Sequence, residues 1–411
     1  MKFTKYLLPL FVACGCVTTL LPVDAAEAPE DAIDERDAIT LEAWTKDKAK
    51  TPLAEKAQNL AVSGQVRAEW KNIHEKADGV SSRGTSTAGH NEYDVEVNLT
   101  MAYKTERSWA VFNVSFDNNA GHLYNPAGTY LATGTGTCHK VCIHAAYMGY
   151  NIFEDGASRL DFEIGRRRGF KIYDSRIQFQ DYHDGLHLKY ANSFEDVGDF
   201  FVQGGPFVIN EIVSHYGWAT ELGLLDIANS GVDVKYSFVS YVKRGADVTG
   251  TDNNNEWRKL NSQLTAAYNL PEELLSYKSK LYGAFLVNHD ARKVVESNFK
   301  KENLAWYFGF QVGKIEGAGT WSIDTNYQLV GAQAIMDSQV SGIGTGNTLD
   351  ERFYADTRGN TNYKGFLLEA VYAITDEISV MAEFEATCAK DAGIGGTHKY
   401  RKGEIEFIYN W

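Results

Sequence analysis

The densest mixture of charge in this sequence lies between residues 166 and 184, where Arg166-Arg167-Arg168 is followed by Lys171, Asp174, Arg176, Asp181 and Asp184. Such groups do not break bonds unaided. Set on opposite sides of a narrow, low-dielectric passage, they order water and impose a transverse field that favours polar solutes over apolar ones. No nucleophile accompanies them: Asn288-His289 lacks a serine shortly after the histidine, and no Gly-x-Ser-x-Gly elbow occurs. Gly342-Ile343-Gly344-Thr345-Gly346 is not followed by the Lys-Ser/Thr of a phosphate loop. Metal signals are equally incomplete. Cys138-His139 with Cys142 and His144 has no zinc-ligand spacing. Asp247–Glu256, with Asp252, Asn253, Asn254 and Asn255, lacks the calcium-loop pattern and reads as a polar loop. We expect no catalytic residue, no metal and no cofactor.

The compartment follows from the first residues. Lys2 and Lys5 precede an apolar run from Tyr6 to Leu21, and small residues follow at Ala25, Ala26 and Ala28, the pattern of a cleaved export signal over residues 1–25. A lipoprotein reading through Cys14 or Cys16 lacks the Leu three residues before the cysteine. Export and a net charge of -14 both argue against nucleic acid as a partner. Cys138, Cys142 and Cys388 remain in the exported chain, an odd number that cannot all pair internally. Cys138 and Cys142 would stand roughly 13 Å apart on one extended strand, too far to bridge. Isolated thiols or one cross-link between chains are expected.

The elements that must position these charges are strands. With 7 Pro and no Pro- or Ser-rich linker in 411 residues, a single large architecture is preferred over several domains. The 37 Gly and 23 Tyr favour strands and turns over helices. Residues 26–59, acidic and Ala-rich, read as a helical or loose segment. From Leu60 onward the pattern alternates with the period of two that strands impose. Val95, Val97, Leu99, Met101 and Tyr103 oppose Glu96, Asn98, Thr100 and Lys104; Leu304, Trp306, Phe308, Phe310 and Val312 oppose Tyr307 and Gln311. Ile405, Phe407, Tyr409 and Trp411 oppose Glu404, Glu406 and Asn410.

Counting such stretches gives about sixteen strands. They start near Leu60, Glu92, Trp109, Lys140, Arg159, Gly185, Val197, Trp218, Gly231, Arg258, Lys278, Leu304, Thr320, Lys364, Ile378 and Arg401. The spacers alternate short and long. Thr105-Glu106-Arg107 and Thr375-Asp376-Glu377 are short, whereas Asn118–His139, Arg166–Asp184 and Gly331–Asn362 are long and polar. Alternating spacers between half-apolar strands are the layout of a transmembrane antiparallel β-barrel with short periplasmic turns and long outer loops, spanning residues 60–411. Sixteen strands enclose an aqueous channel.

The aromatic terminal strand, the strand number and the loop phase resemble the general porins of Gram-negative outer membranes. The stretch from Phe162 through Asp184-Gly185-Leu186 to Gly204-Gly205-Pro206 resembles the outer-membrane porins of environmental chlamydiae, the Protochlamydia group. The resemblance implies a water-filled channel for passive diffusion of small hydrophilic solutes and ions. It also implies a homotrimer in outer-membrane lipid, inserted by the barrel-insertion machinery through Ile405, Phe407, Tyr409 and Trp411. The third long spacer then corresponds to the loop that folds into the barrel, with Arg166, Arg167, Arg168, Lys171, Asp174, Arg176, Asp181 and Asp184 as the pore constriction. Acids exceed bases on the presumed inner faces, which suits a weakly cation-preferring channel. The alternatives are a structural or adhesive outer-membrane barrel without an open pore and a secreted all-β carbohydrate-binding protein.

Overall fold

The structure, a computed structural model, describes residues 59–83, 89–117, 123–124, 130–131, 140–210, 214–243, 259–271, 276–291, 293, 300–336, 339–344, 347–348 and 358–411. The leader, the 26–59 segment, Cys138-His139 and Asp247–Glu256 lie outside the described residues.

Sixteen long strands follow one another around a closed antiparallel barrel. They are β1 Leu60–Ala77, β2 Asn91–Lys104, β3 Ser108–Asp117, β4 Lys140–Asp155, β5 Ser158–Arg168, β6 Tyr182–Phe194, β7 Gly198–Asn210 and β8 His215–Leu225. The circuit continues with β9 Val232–Lys243, β10 Leu260–Leu270, β11 Ser279–Asn288, β12 Leu304–Gly313, β13 Trp321–Val330, β14 Tyr363–Ala373, β15 Ile378–Ala389 and β16 His398–Asn410. Each strand pairs with its chain neighbours, so every connection is a hairpin. Closure is made by β16 against β1, in register from Gln65↔Asn410 to Ala77↔His398. A closed sheet has no edge, which is the condition for exposing backbone to hydrocarbon.

The alternation sorts side chains as the sequence pattern dictates. Outward-facing Trp218 is 51% exposed, Phe308 57% and Phe407 56%, whereas their neighbours Tyr307, Glu404 and Glu406 are buried in the lumen. Aromatic side chains gather on the outer face near the turn rim, at Tyr150, Phe194, Tyr268, Tyr372 and Tyr409. A second set, including Trp70, Tyr93, Tyr216 and Tyr327, faces outward toward the loop rim. Two aromatic girdles around an apolar band are the outer surface of a membrane barrel. Trp411 lies over Gly64 of the first strand, and their backbones exchange N–H···O bonds of 3.0 Å each way.

The interior is not an open cylinder. Two outer connections fold inward: residues 169–181, between β5 and β6, and the start of the connection between β13 and β14, residues 331–336 and 339–344. They meet through a Gln178↔Val340 bridge, Ser341 N–H to the Ile177 carbonyl at 3.1 Å and Gln180 N–H to the Gln339 carbonyl at 3.2 Å. Ile177, Ile335, Val340 and Ile343 pack with Tyr282, Leu286, Tyr307 and Tyr363 of β11, β12 and β14. Tyr173, Phe179 and Met336 pack with Phe207, Val239 and Tyr241 of β7 and β9. Gly342 and Gly344 lie against the Tyr363 ring, where a Cβ would collide with it.

Candidate functional site: the charged lumen around the inward loop

The strand that delivers the arginines explains their different fates. Along β5, Leu160, Phe162 and Ile164 face outward and Asp161 and Glu163 inward. Gly165, at φ +132°, presses against the backbone of Ala146 and Tyr147, where a Cβ would not fit. Beyond it Arg166 turns to the outside and forms a fork with Asp184, Nε–Oδ1 2.8 Å and Nη2–Oδ2 2.5 Å. This pair sits at an outward groove of about 480 Å³ with Ile164, Leu186, Pro206 and Tyr216.

Arg167 and Arg168 point into the lumen. Arg167 pairs with Glu163 and lies over the Tyr147 ring at 4.7 Å. Glu163 also accepts the Trp109 indole N–H at 3.0 Å and stands 3.5 Å from Nδ1 of His187. Arg168 places Nη2 2.8 Å from Nε2 of His144 and stacks over Phe170 and Tyr182 at 5.5 and 5.7 Å. A 3-10 turn, Gly169–Lys171, then swings the chain across the lumen.

The remaining loop charges are tied to the far wall. Lys235 Nζ donates to Asp174 Oδ2 at 2.6 Å, Gln263 Nε2 to the Asp174 carbonyl at 2.9 Å, and the Asp174 N–H to Glu221 at 3.1 Å. Arg176 donates to Asp324 Oδ2 at 2.7 Å and lies 5.1 Å from the Tyr282 ring centre. Burial alone would lower the Arg176 pKa, but Tyr282 and Asp324 beside it raise it. Asp181 receives the Tyr182 N–H at 2.8 Å, and burial pushes its carboxyl above the usual aspartate range. Arg167, Arg168, Lys171, Asp174 and Arg176 thus share the lumen, Asp181 anchors the end of the loop, and Arg166 and Asp184 pair on the outside.

Away from both inward loops, β15, β16, β1 and β2 carry a ladder of opposite charges. Arg67 contacts Glu406, Glu96 at 3.1 Å and Glu69 at 3.8 Å. Lys71 contacts Glu69, Glu404 at 3.6 Å and Asp94 at 3.7 Å. Lys402 contacts Glu383 at 2.6 Å, Glu404 at 2.7 Å and Glu385 at 3.2 Å. Three cations therefore serve seven carboxylates, Glu69, Asp94, Glu96, Glu383, Glu385, Glu404 and Glu406. Ligand oxygens of Glu69, Glu404 and Glu406 lie within 4.8 Å of one another, the one such grouping among the described residues. Arg67 and Lys71 already compensate these carboxylates, so we read the cluster as wall charge. Cys142 and Cys388 are free thiols. Two elements escaped the sequence reading. Lys402 is absent from the inner-face bases, although its even spacing from Glu404 and Glu406 gives its side. The inward fold of residues 331–336 and 339–344 was signalled by the apolar Ile335-Met336 and Val340-Ile343 within an otherwise polar spacer.

Water-sized space remains on two sides of Phe170 and Lys171. One chamber, about 900 Å³, is bounded by Trp109 of β3, by β5–β9 and by the loop. The other, about 760 Å³, is bounded by β16, β1–β4 and the loop.

A closed sixteen-stranded barrel with an inward third outer loop and a charged lumen is the architecture of the general porins. The sequence matches no family model and no curated protein. Among solved structures, the high-pH form of OprB from Pseudomonas putida superposes with a TM-score of 0.51 at 13% identity, covering 89% of this chain and 97% of that one. Its low-pH form gives 0.49 at 11%, with the same coverages. OmpF of Salmonella typhi gives 0.48 at 11%, covering 86% and 97%. These similarities speak to fold.

Proposed function

We propose that the chain is an outer-membrane porin that lets small hydrophilic solutes and ions diffuse passively. The observation that carries this is the pair of charge-lined chambers left beside an inward loop in a sixteen-stranded barrel whose outer face is apolar. A contiguous exposed apolar belt suits lipid and would aggregate a soluble protein. The membrane of residence is the Gram-negative outer membrane, reached through cleavage of residues 1–25 and the insertion machinery, with short turns on the periplasmic side and a homotrimer as the working form. The excess of carboxylates on β15, β16, β1 and β2 supports a weak cation preference. Residues 167–181 act as the constriction, with Arg167, Arg168, Lys171 and Arg176 as lumenal cations, while Arg166 and Asp184 stand outside it.

Single-channel recording of refolded protein in a planar bilayer tests this. Discrete steps that grow with salt concentration are expected, with a reversal potential of cation-preferring sign across a KCl gradient. The filling of one half of the lumen by Ile177, Ile335 and Tyr363 favours a second reading, an envelope barrel without an open pore. A heat-resistant barrel that inserts but gives no steps would put that reading first.

A further inference from the structure

Among the described residues two cations of the 900 Å³ chamber make no ion pair, although one of them, Lys189, stands opposite Asp161 in the β5–β6 register. Arg159, Arg167, Arg176 and Lys235 are each paired, with Asp161 at 2.7 Å, with Glu163, with Asp324 at 2.7 Å and with Asp174 at 2.6 Å. Glu221, the one lining carboxylate without a cation, is occupied by the Asp174 N–H at 3.1 Å and the Gln203 amide at 2.9 Å. Lys171 and Lys189 remain. Each places its ammonium over a phenyl ring, Lys171 over Phe170 at 5.4 Å and Lys189 over Phe201 at 5.6 Å. A ring face holds an ammonium in position without neutralising its charge, so its N–H donors stay available.

We propose that this chamber binds a small organic phosphate monoester, with the dianion held between Lys171 and Lys189 and the organic part over Phe170, Phe201 and Trp109. Two uncommitted ammonium groups balance a dianion better than a monoanion, and lysine meets phosphate as a point charge without needing the planar fork that carboxylate favours in arginine. The three aromatic side chains give the same chamber an apolar floor, which inorganic phosphate would not use. A chamber of 900 Å³ lies within the range of small-ligand sites. This inference rests on the porin reading and narrows it: the charge of the lumen is segregated, with carboxylates in excess on the β15–β2 wall and free ammonium groups behind the loop.

The test uses single channels of the full-length refolded protein in KCl, challenged in turn with glucose, glucose 6-phosphate and inorganic phosphate. Concentration-dependent interruption of the current by glucose 6-phosphate, absent with glucose, is the expected result. The double variant Lys171→Gln, Lys189→Gln should need about tenfold more of the ester for the same interruption, because two partly exposed charge contacts are removed together. Equal interruption by inorganic phosphate supports the dianion site and removes the aromatic floor from it. Open steps that respond alike to sugar and ester, or an ester effect unchanged in the double variant, overturn the proposal while leaving the porin intact. Should no steps appear, the porin reading fails, and calorimetric titration of the folded barrel in detergent decides the site alone: heat with the ester and none with glucose upholds it, no heat with either overturns it.

Discussion

Lys402, like Arg67 and Lys71, compensates three of the wall's carboxylates. Its side chain is 16% exposed, and its ammonium touches three carboxylates that no other cation serves so closely. Removing one partner of a buried ionic network leaves uncompensated charge, at a cost of about 3 kcal/mol. Lys402→Met is therefore expected to lower the urea midpoint of the refolded barrel and to move the reversal potential further toward cation preference. Asp181 gives a pH dependence of opposite origin. Its folded carboxyl titrates above the usual aspartate range because of burial. The folded state therefore holds the proton more tightly than the unfolded chain, so this contribution to stability is complete below the ordinary aspartate pKa and is lost as pH rises through the folded value. Asp181→Asn should flatten that segment of the stability-pH curve, read by thermal unfolding at a series of pH values, and leave wild type the less stable of the two at neutral pH.

The strands were legible because each is set by a period-two pattern that burial on one face enforces. The expected starts fall within three residues of the observed ones, and the largest offsets have local causes. Tyr182, His183 and Asp184 extend β6 backward through residues that read as loop charge. His215–Gly217 does the same for β8, and His398–Tyr400 for β16. What the sequence could not convey is the path of a long connection once it leaves the sheet. Residues 331–344 read as polar spacer, yet they carry four apolar side chains that fill the barrel beside Ile177. The two connections support each other, so disturbing one should loosen the other. Gly342→Ala would thrust a methyl group at the Tyr363 hydroxyl and Gln328, an overpacking cost of about 1–3 kcal/mol. Noisier single-channel steps are expected, because residues 171–178 lose a firm backing; steps as quiet as wild type would show that the loop seats itself independently. The candidate site was legible in composition and only partly in direction. Alternation from Leu160, Phe162 and Ile164 already sends Arg166 outward and Arg167 inward; what it does not convey is that Arg168, at the strand end, turns into the lumen beside His144.

Taken whole, the barrel solves two solvation problems with one alternating pattern, and the two faces should respond oppositely to the same change. Phe308 is outward on β12 near the middle of its strand and 57% exposed. A lysine there would meet hydrocarbon, at about 2–4 kcal/mol near the bilayer centre. Phe308→Lys is expected to reduce the folded fraction in lipid vesicles, measured by the shift in gel mobility between heated and unheated samples. The lumen-facing Gln311→Lys should leave that fraction within about 0.5 kcal/mol of wild type, as substitutions at watery sites do.

The seating of both inward loops against the same arc of wall also divides the work of the molecule by sequence position. Where the loops seat, at lumenal positions such as Leu286, Tyr307 and Tyr363, the side chains are packing partners, and change there costs folding free energy. On β15, β16, β1 and β2 the lumenal side chains are charged and paired with one another, and change there alters which ions pass. A barrel divided in this way can change selectivity without changing its aperture: substitutions on the charged arc would retune permeation, at the stability cost of whichever ion pair they break, while the opposite arc continues to hold the aperture at a fixed size.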